Sequence, residues 1–200
     1  MLKSITWRLS FARRLFHKSL RLLDAGDPFS TSEAVMAAQD GLETFLVAVC
    51  NHLELNPSPK GAGSVVQKPA KQIPSGKQHV HRFEALNKLR VNIKHYGTAP
   101  QEHAARVLVA ECYGHCKSIA SADLGINLDE LSLSDGIPNQ LVAGALAEAE
   151  KLIDDADARG FLKCVGFAFR YAHKRLSTGF SGRRIARVDR GKSFEEGEFA

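Results

Sequence analysis

Two hundred residues with 44% apolar content are enough for a globular core without disulfides or a structural metal. Lys and Arg exceed Asp and Glu by 27 to 22, a net charge of +5, which permits a polyanionic partner without requiring one. No apolar run reaches the length that spans a bilayer, and basic residues threaded through the N-terminus exclude a signal peptide, so the four cysteines are expected in a reducing, cytoplasmic setting.

Residues 1 to 23 contain Lys3, Arg8, Arg13, Arg14, Lys18 and Arg21 and no acid. Leu2, Ile5, Leu9, Ala12, Leu15, Phe16, Leu20 and Leu23 run between them at helical spacing. This composition fits a bundle helix with a basic outer face, a membrane-surface helix or an Arg-rich organelle presequence. Asp24, Gly26 and Asp27, which stop the pattern directly before another helix, favour the bundle. Ser30 to Glu33 has the form of a capping box, so the next helix is expected to start there. Its apolar stripe is Val35, Ala38, Leu42, Phe45, Val49 and Leu53.

Between Asn56 and Gln78 the pattern gives way to prolines, glycines and lysines, and a mobile loop over 56–78 is expected. Gly61-Ala62-Gly63-Ser64 beside Lys60 lacks the Lys-Ser ending and preceding strand of a phosphate-binding loop, and reads as solvated chain. The stretch Ala85 to Gly97, ALNKLRVNIKHYG, follows. Phe83, Leu86, Leu89, Ile93 and Tyr96 form its apolar stripe, Lys88, Arg90, Lys94 and His95 its polar side, and Gly97 suits a left-handed helix end. Thr98 and Gln101 resemble a second capping box with Pro100 in the first turn.

Val107, Leu108, Cys112, Cys116 and Ile119 make the core face of the next helix, ending near Gly125. Cys112 and Cys116 with His115 and His103 have no Cys-x-x-Cys spacing and read as packing residues, so no metal or other cofactor is expected. An irregular connection over 127–138 leads to a helical pair through Leu141 and Ile153, a turn at Asp154, Asp155 and Asp157, then Phe161 to Leu176. Residues 179–200, with Arg183, Arg184, Arg187, Arg190 and Lys192 before Glu195, Glu196 and Glu198, are expected to be a disordered charged tail. No segment alternates as a half-buried strand does, so the fold class is all-α, one helical domain over 1–178.

Arg90, Lys94 and His95 set fixed cations beside an imidazole that exchanges protons near neutral pH. Together they suit metal-independent RNA cleavage. One histidine deprotonates the 2′-hydroxyl, a second protonates the leaving 5′-oxygen, and Arg90 stabilises charge at phosphorus. A two-fold homodimer supplies the second histidine. Residues five apart on a helix differ by about 140° in azimuth, so Arg90 and His95 share a face only where the helix ends or unwinds between them. The competing reading is a basic helix end with its charges over the last carbonyls.

Leu86-Asn87-Lys88-Leu89-Arg90-Val91-Asn92-Ile93-Lys94-His95-Tyr96-Gly97 resembles the signature of the HEPN superfamily, an arginine, four to six residues and a histidine. The resemblance covers about Leu15 to Leu176 and implies an up-and-down helical bundle of about five to six helices. It further implies a dimeric, metal-independent endoribonuclease of a toxin–antitoxin or antiviral defence system, with RNA or a nucleotide, and an antitoxin or defence protein, as partners. By match to the motif Arg90 and His95 are the catalytic pair, with Asn92, Lys94 and Lys88 assisting substrate contact. Active members carry Asn, Asp or His directly after the arginine, where this chain has Val91. Inactive relatives keep the helices as a non-catalytic module that binds a nucleotide or a partner protein.

Overall fold

Three-and-four spacing of apolar residues becomes buried helix faces in α1, α2 and α5 of the computed structural model, which describes residues 2–55, 65–137, 139–154 and 156–180. Among these residues there is no strand, and the protein is an all-α helical bundle. In chain order the helices are α1 (Leu2–Leu23), α2 (Pro28–His52), α3 (Gln67–Gln72), α4 (Val80–Tyr96), α5 (Glu102–Leu124), α6 (Gln140–Asp154) and α7 (Ala158–Phe180). Single 3-10 turns lie at Lys77–His79, Leu128–Glu130 and Leu133–Gly136. The described residues divide into two compact units, one up to Ala143 and one from Gly144.

The first unit is built on α1 and α2, which pack along most of their length. Lys18 pairs with Glu33 at 2.8 Å and Ser19 Oγ donates to the Ala34 carbonyl at 2.7 Å, while Ala12 and Phe16 meet Gly41 two turns along, so the helices run antiparallel. A Cβ on Gly41 would stand 3.2 Å from the Ala12 carbonyl oxygen, 3.2 Å from Leu15 Cβ and 3.3 Å from the Phe16 ring. Glycine is thus what lets the two backbones approach there. Arg106 of α5 donates to Asp24 Oδ1 at 2.9 Å and to the Leu23 carbonyl at 2.6 Å, and Tyr113 lies beside His17, so α5 is antiparallel to α1. Arg82 with Glu111 and His79 with His115 set α4 antiparallel to α5 in the same way.

In the first unit α1, α2, α4 and α5 enclose one core in which Leu9, Phe16, Leu42, Phe45, Phe83, Leu86 and Ile119 are fully buried. Ile5, Leu9, Ala12, Phe16 and Leu23 give α1's apolar face to that core. The bundle reading of the basic N-terminal helix therefore holds, because the face that a membrane-surface helix would offer to lipid is already covered. No helix among the described residues is long and apolar enough to cross a membrane.

Three local expectations are corrected. The α2 cap is Asp27, whose carboxylate accepts from the Phe29 and Ser30 amides at 2.9 Å each, with Pro28 in the first turn. Proline's fixed φ and missing N–H fit that position, so the helix starts before Ser30. At Thr98 no cap forms: α5 begins at Glu102 after Gln101, and Pro100 lies outside the helix. The expected loop over 56–78 is folded in its described part. Val66, Pro69, Ala70 and Ile73 are buried and α3 ends on them; residues 56–64 lie outside the described residues. Pro69 sits in the first turn of α3, where a proline does not break a helix, and the composition signal misread it.

Gly97, at φ 63°, ends α4 in the left-handed conformation, its N–H on the Ile93 carbonyl and the Thr98 N–H on the Asn92 carbonyl. Gly125, at φ 65°, ends α5 likewise. In the second unit α6 leads to α7 through a turn in which Asp157 Oδ1 accepts from the Gly160 amide at 2.9 Å. The charged tail lies outside the described residues from 181 onward.

Replacing Gly41 with valine should lower the free energy of unfolding by about 2 kcal/mol, because a branched side chain drives into the Ala12 carbonyl rather than into a flexible side chain. Urea unfolding followed by circular dichroism checks this, and an unchanged midpoint would contradict the close crossing.

Candidate functional site

Only the first half of α4 belongs to the core. Val80, Phe83 and Leu86 are buried, whereas every residue from Asn87 to Tyr96 is half-buried or exposed. Leu89 and Ile93 still lean on the core, and Tyr96 is 75% exposed. The residues singled out from the sequence therefore sit on a helix end that is stripped of cover on much of its circumference.

Helical geometry sorts them into two rows. Lys88, Asn92 and His95, all exposed, fall within about 60° of one another. Arg90 and Lys94, about 40° apart, lie well round the helix from them. α4 stays helical through Tyr96, so nothing unwinds between Arg90 and His95, and the two are separated by about 140°. The structure thus brings His95 together with Lys88 and Asn92 and does not bring it to Arg90 within one chain.

Arg90 is half-buried, and its Nε is shielded from solvent without a hydrogen-bond partner. A guanidinium N–H left in that state is costly for a residue serving structure alone, which marks Arg90 as unexplained by packing. One turn before it, Asn87 Oδ1 accepts from Nε2 of Gln39, a fully buried residue of α2 whose amide also donates to Glu43 at 3.0 Å. This polar seam fixes the rotation of α4 against α2. Val91, directly after Arg90, is half-buried.

Two further clusters were not foreseen, since their members are far apart in sequence. On α1, α5 and the following 3-10 turn, His17 Nε2 is 3.1 Å from the Tyr113 hydroxyl, which donates to Asp129 Oδ1 at 2.6 Å. Lys117 reaches the other Asp129 oxygen at 3.1 Å. The hydrogen bond from Tyr113 holds the Asp129 carboxyl below its ordinary value, burial raises the Tyr113 phenol, and burial with Arg13 nearby lowers His17. On the opposite face of α5 at the same level, His79 and His115 stack at 3.9 Å between ring centroids, with Phe83 against both. Burial lowers both imidazoles, and His79 also feels His115.

Cys112 and Cys116 are fully buried core residues, and burial pushes the Cys112 thiol up to about 12 and holds Cys116 well above the ordinary thiol range. Such thiols pack as small apolar groups. Among the described residues no cluster of three or more His, Cys, Asp or Glu is arranged to hold a metal.

Comparison with family models, curated proteins and solved structures gives no match to this chain.

Arg90→Met and His95→Ala should each leave the unfolding free energy within about 1 kcal/mol of the parent, since neither side chain completes a hydrogen bond of the fold. A large loss of stability in either, read from urea midpoints, would assign that residue a structural duty. The stacked pair generates a pH dependence. Folded His79 and His115 bind protons less readily than in the unfolded chain, so their contribution is fully present above about pH 6.5 and is lost as pH falls through and below that value. The urea midpoint should therefore drop between pH 7 and pH 5, and drop less in His115→Phe.

Proposed function

We propose that this is a HEPN-like, RNA-directed protein acting as a metal-independent endoribonuclease through the end of α4. The observation that carries the reading is a half-buried arginine with an unpartnered Nε, followed five residues later by an exposed histidine, on the bare end of a bundle helix. His95 accepts the 2′-hydroxyl proton, the 2′-oxygen attacks the adjacent phosphorus, and the P–O5′ bond breaks with formation of a 2′,3′-cyclic phosphate. The departing 5′-oxygen takes its proton from His95 of a second copy. Lys88 and Asn92, in the same row as His95, hold the substrate backbone. Arg90 and Lys94, round the helix, meet phosphate charge when two such ends form one cleft, which is why the reading requires a homodimer. A role in defence or in a toxin–antitoxin pair is part of the same proposal.

A second reading, a non-catalytic module that binds a nucleotide or partner protein, is favoured by two features. Val91 stands where active relatives of the resembled family place Asn, Asp or His, and the unbroken helix keeps Arg90 away from His95 within a chain.

Purified protein incubated with mixed RNA in EDTA should yield cyclic-phosphate ends, and His95→Ala or Arg90→Ala should slow cleavage by about 10²-fold or more. Cleavage that survives both substitutions discards the site, and no cleavage by the parent chain leaves the binding module as the better account.

A further inference from the structure

Charge is spread unevenly along this chain. Residues 158 to 193 hold ten of the 27 basic residues and one of the 22 acidic ones, an excess of nine. That leaves seventeen basic against twenty-one acidic residues elsewhere, so the remainder is net acidic by four and the whole positive charge of the protein belongs to α7 and the stretch after it. Within Ala158–Phe180 there is no carboxylate. Arg159 and Lys163 stand four apart, the spacing at which like charges destabilise a helix. A polyanion laid along them removes that repulsion.

The arrangement is more specific than an excess of charge. At about 100° per residue, Arg159, Lys163, Arg170 and Lys174 fall into one stripe about 60° wide, and all four are exposed. Aromatic pairs flank it on both sides. Phe169 stacks with His173 at 6.3 Å between centroids, 24° between planes, along one edge. Phe167 stacks with Tyr171 at 6.0 Å and 27° along the other. Phe167 is 46% and Phe169 70% exposed, whereas Ala168, about 150° from the stripe, is 3% exposed and marks the covered face.

Rings bordering a row of cations are what a single strand needs, phosphates on the charges and unpaired bases on the ring faces. Anionic lipid fits less well. An interfacial helix gathers its apolar side chains on one face, but Phe167 and Phe169 are about 160° apart with the cations between them, so both rings enter lipid only by taking the cations along.

We propose that the exposed face of α7 binds single-stranded nucleic acid, with the Arg159-Lys163-Arg170-Lys174 stripe on the phosphates and Phe167 and Phe169 under the bases. This surface is separate from the end of α4 and does not rest on RNA cleavage there.

The test is binding of the full chain to a fluorescein-labelled twenty-residue thymidine oligodeoxynucleotide, by anisotropy, at several salt concentrations. The oligonucleotide has no 2′-hydroxyl, so the readout is blind to whether Arg90 and His95 cleave RNA. Parent protein should bind with affinity that falls steeply with salt. Lys163→Gln with Arg170→Gln, which keep the side-chain stems, should weaken binding and reduce the slope of log affinity against log salt by about 1.4, at roughly 0.7 per phosphate contact. Phe167→Ala with Phe169→Ala should weaken binding by roughly tenfold or more with the slope unchanged. Circular dichroism establishes that each variant keeps the parent's helix content, and Phe167→Leu with Phe169→Leu serves where the alanine pair does not. The proposal is overturned if the parent fails to bind, or if folded variants of both kinds bind as the parent does. It is likewise overturned if anionic vesicles capture the protein through Phe167 and Phe169 while the oligonucleotide does not.

Discussion

The close crossing of α1 and α2 at Gly41 is the constraint on which the first unit depends. With no side chain on Gly41, the Ala12 carbonyl and the Phe16 ring come against the α2 backbone, and Leu9, Phe16, Leu42 and Phe45 close into one dry layer. Packing at this density is sensitive to a single added methyl group. Everything else in the unit is laid on that pair: α5 is stapled to the turn between them by Arg106 on Asp24 and Leu23, and α4 reaches α2 through Gln39 and Asn87.

α4 is fully buried only along its first half, with Leu89 and Ile93 leaning on the core beyond it. Phe83 and Leu86 reach the core, and beyond them the helix carries its charges into solvent. A helix end of this kind is a platform for contact, since it is positioned by the core behind it and little of its own surface is committed. The Arg90 Nε there is shielded from solvent without a hydrogen-bond partner, which costs the fold. With α4 regular to Tyr96, Arg90 and His95 stand about 140° apart round the helix within one copy.

The polar clusters beside α5 illustrate a different use of buried groups. His17, Tyr113, Asp129 and Lys117 form a chain of hydrogen bonds that fixes the 3-10 turn after α5 against α1, and the His79–His115 stack fixes the start of α4 against α5. In both, burial lowers the basicity of the imidazoles at the joints between helices.

Helix content, the glycine stops at Gly97 and Gly125, and the basic outer face of α1 were legible in the sequence, because apolar spacing and left-handed glycines are local properties of the chain. The Arg90 and His95 pair was legible as residue types at a spacing, and so was the problem that a regular helix separates them. Only the tertiary structure decided that residues 65–78 fold rather than wander, since the burial of Val66, Ala70 and Ile73 depends on a core built from distant helices. It alone joined His17 to Tyr113 and Asp129, and His79 to His115, pairs that no local pattern announces. It also showed where α4 leaves the core: the apolar stripe from Phe83 to Tyr96 reads as continuous in sequence, and how much of it is buried depends on where the neighbouring helices end.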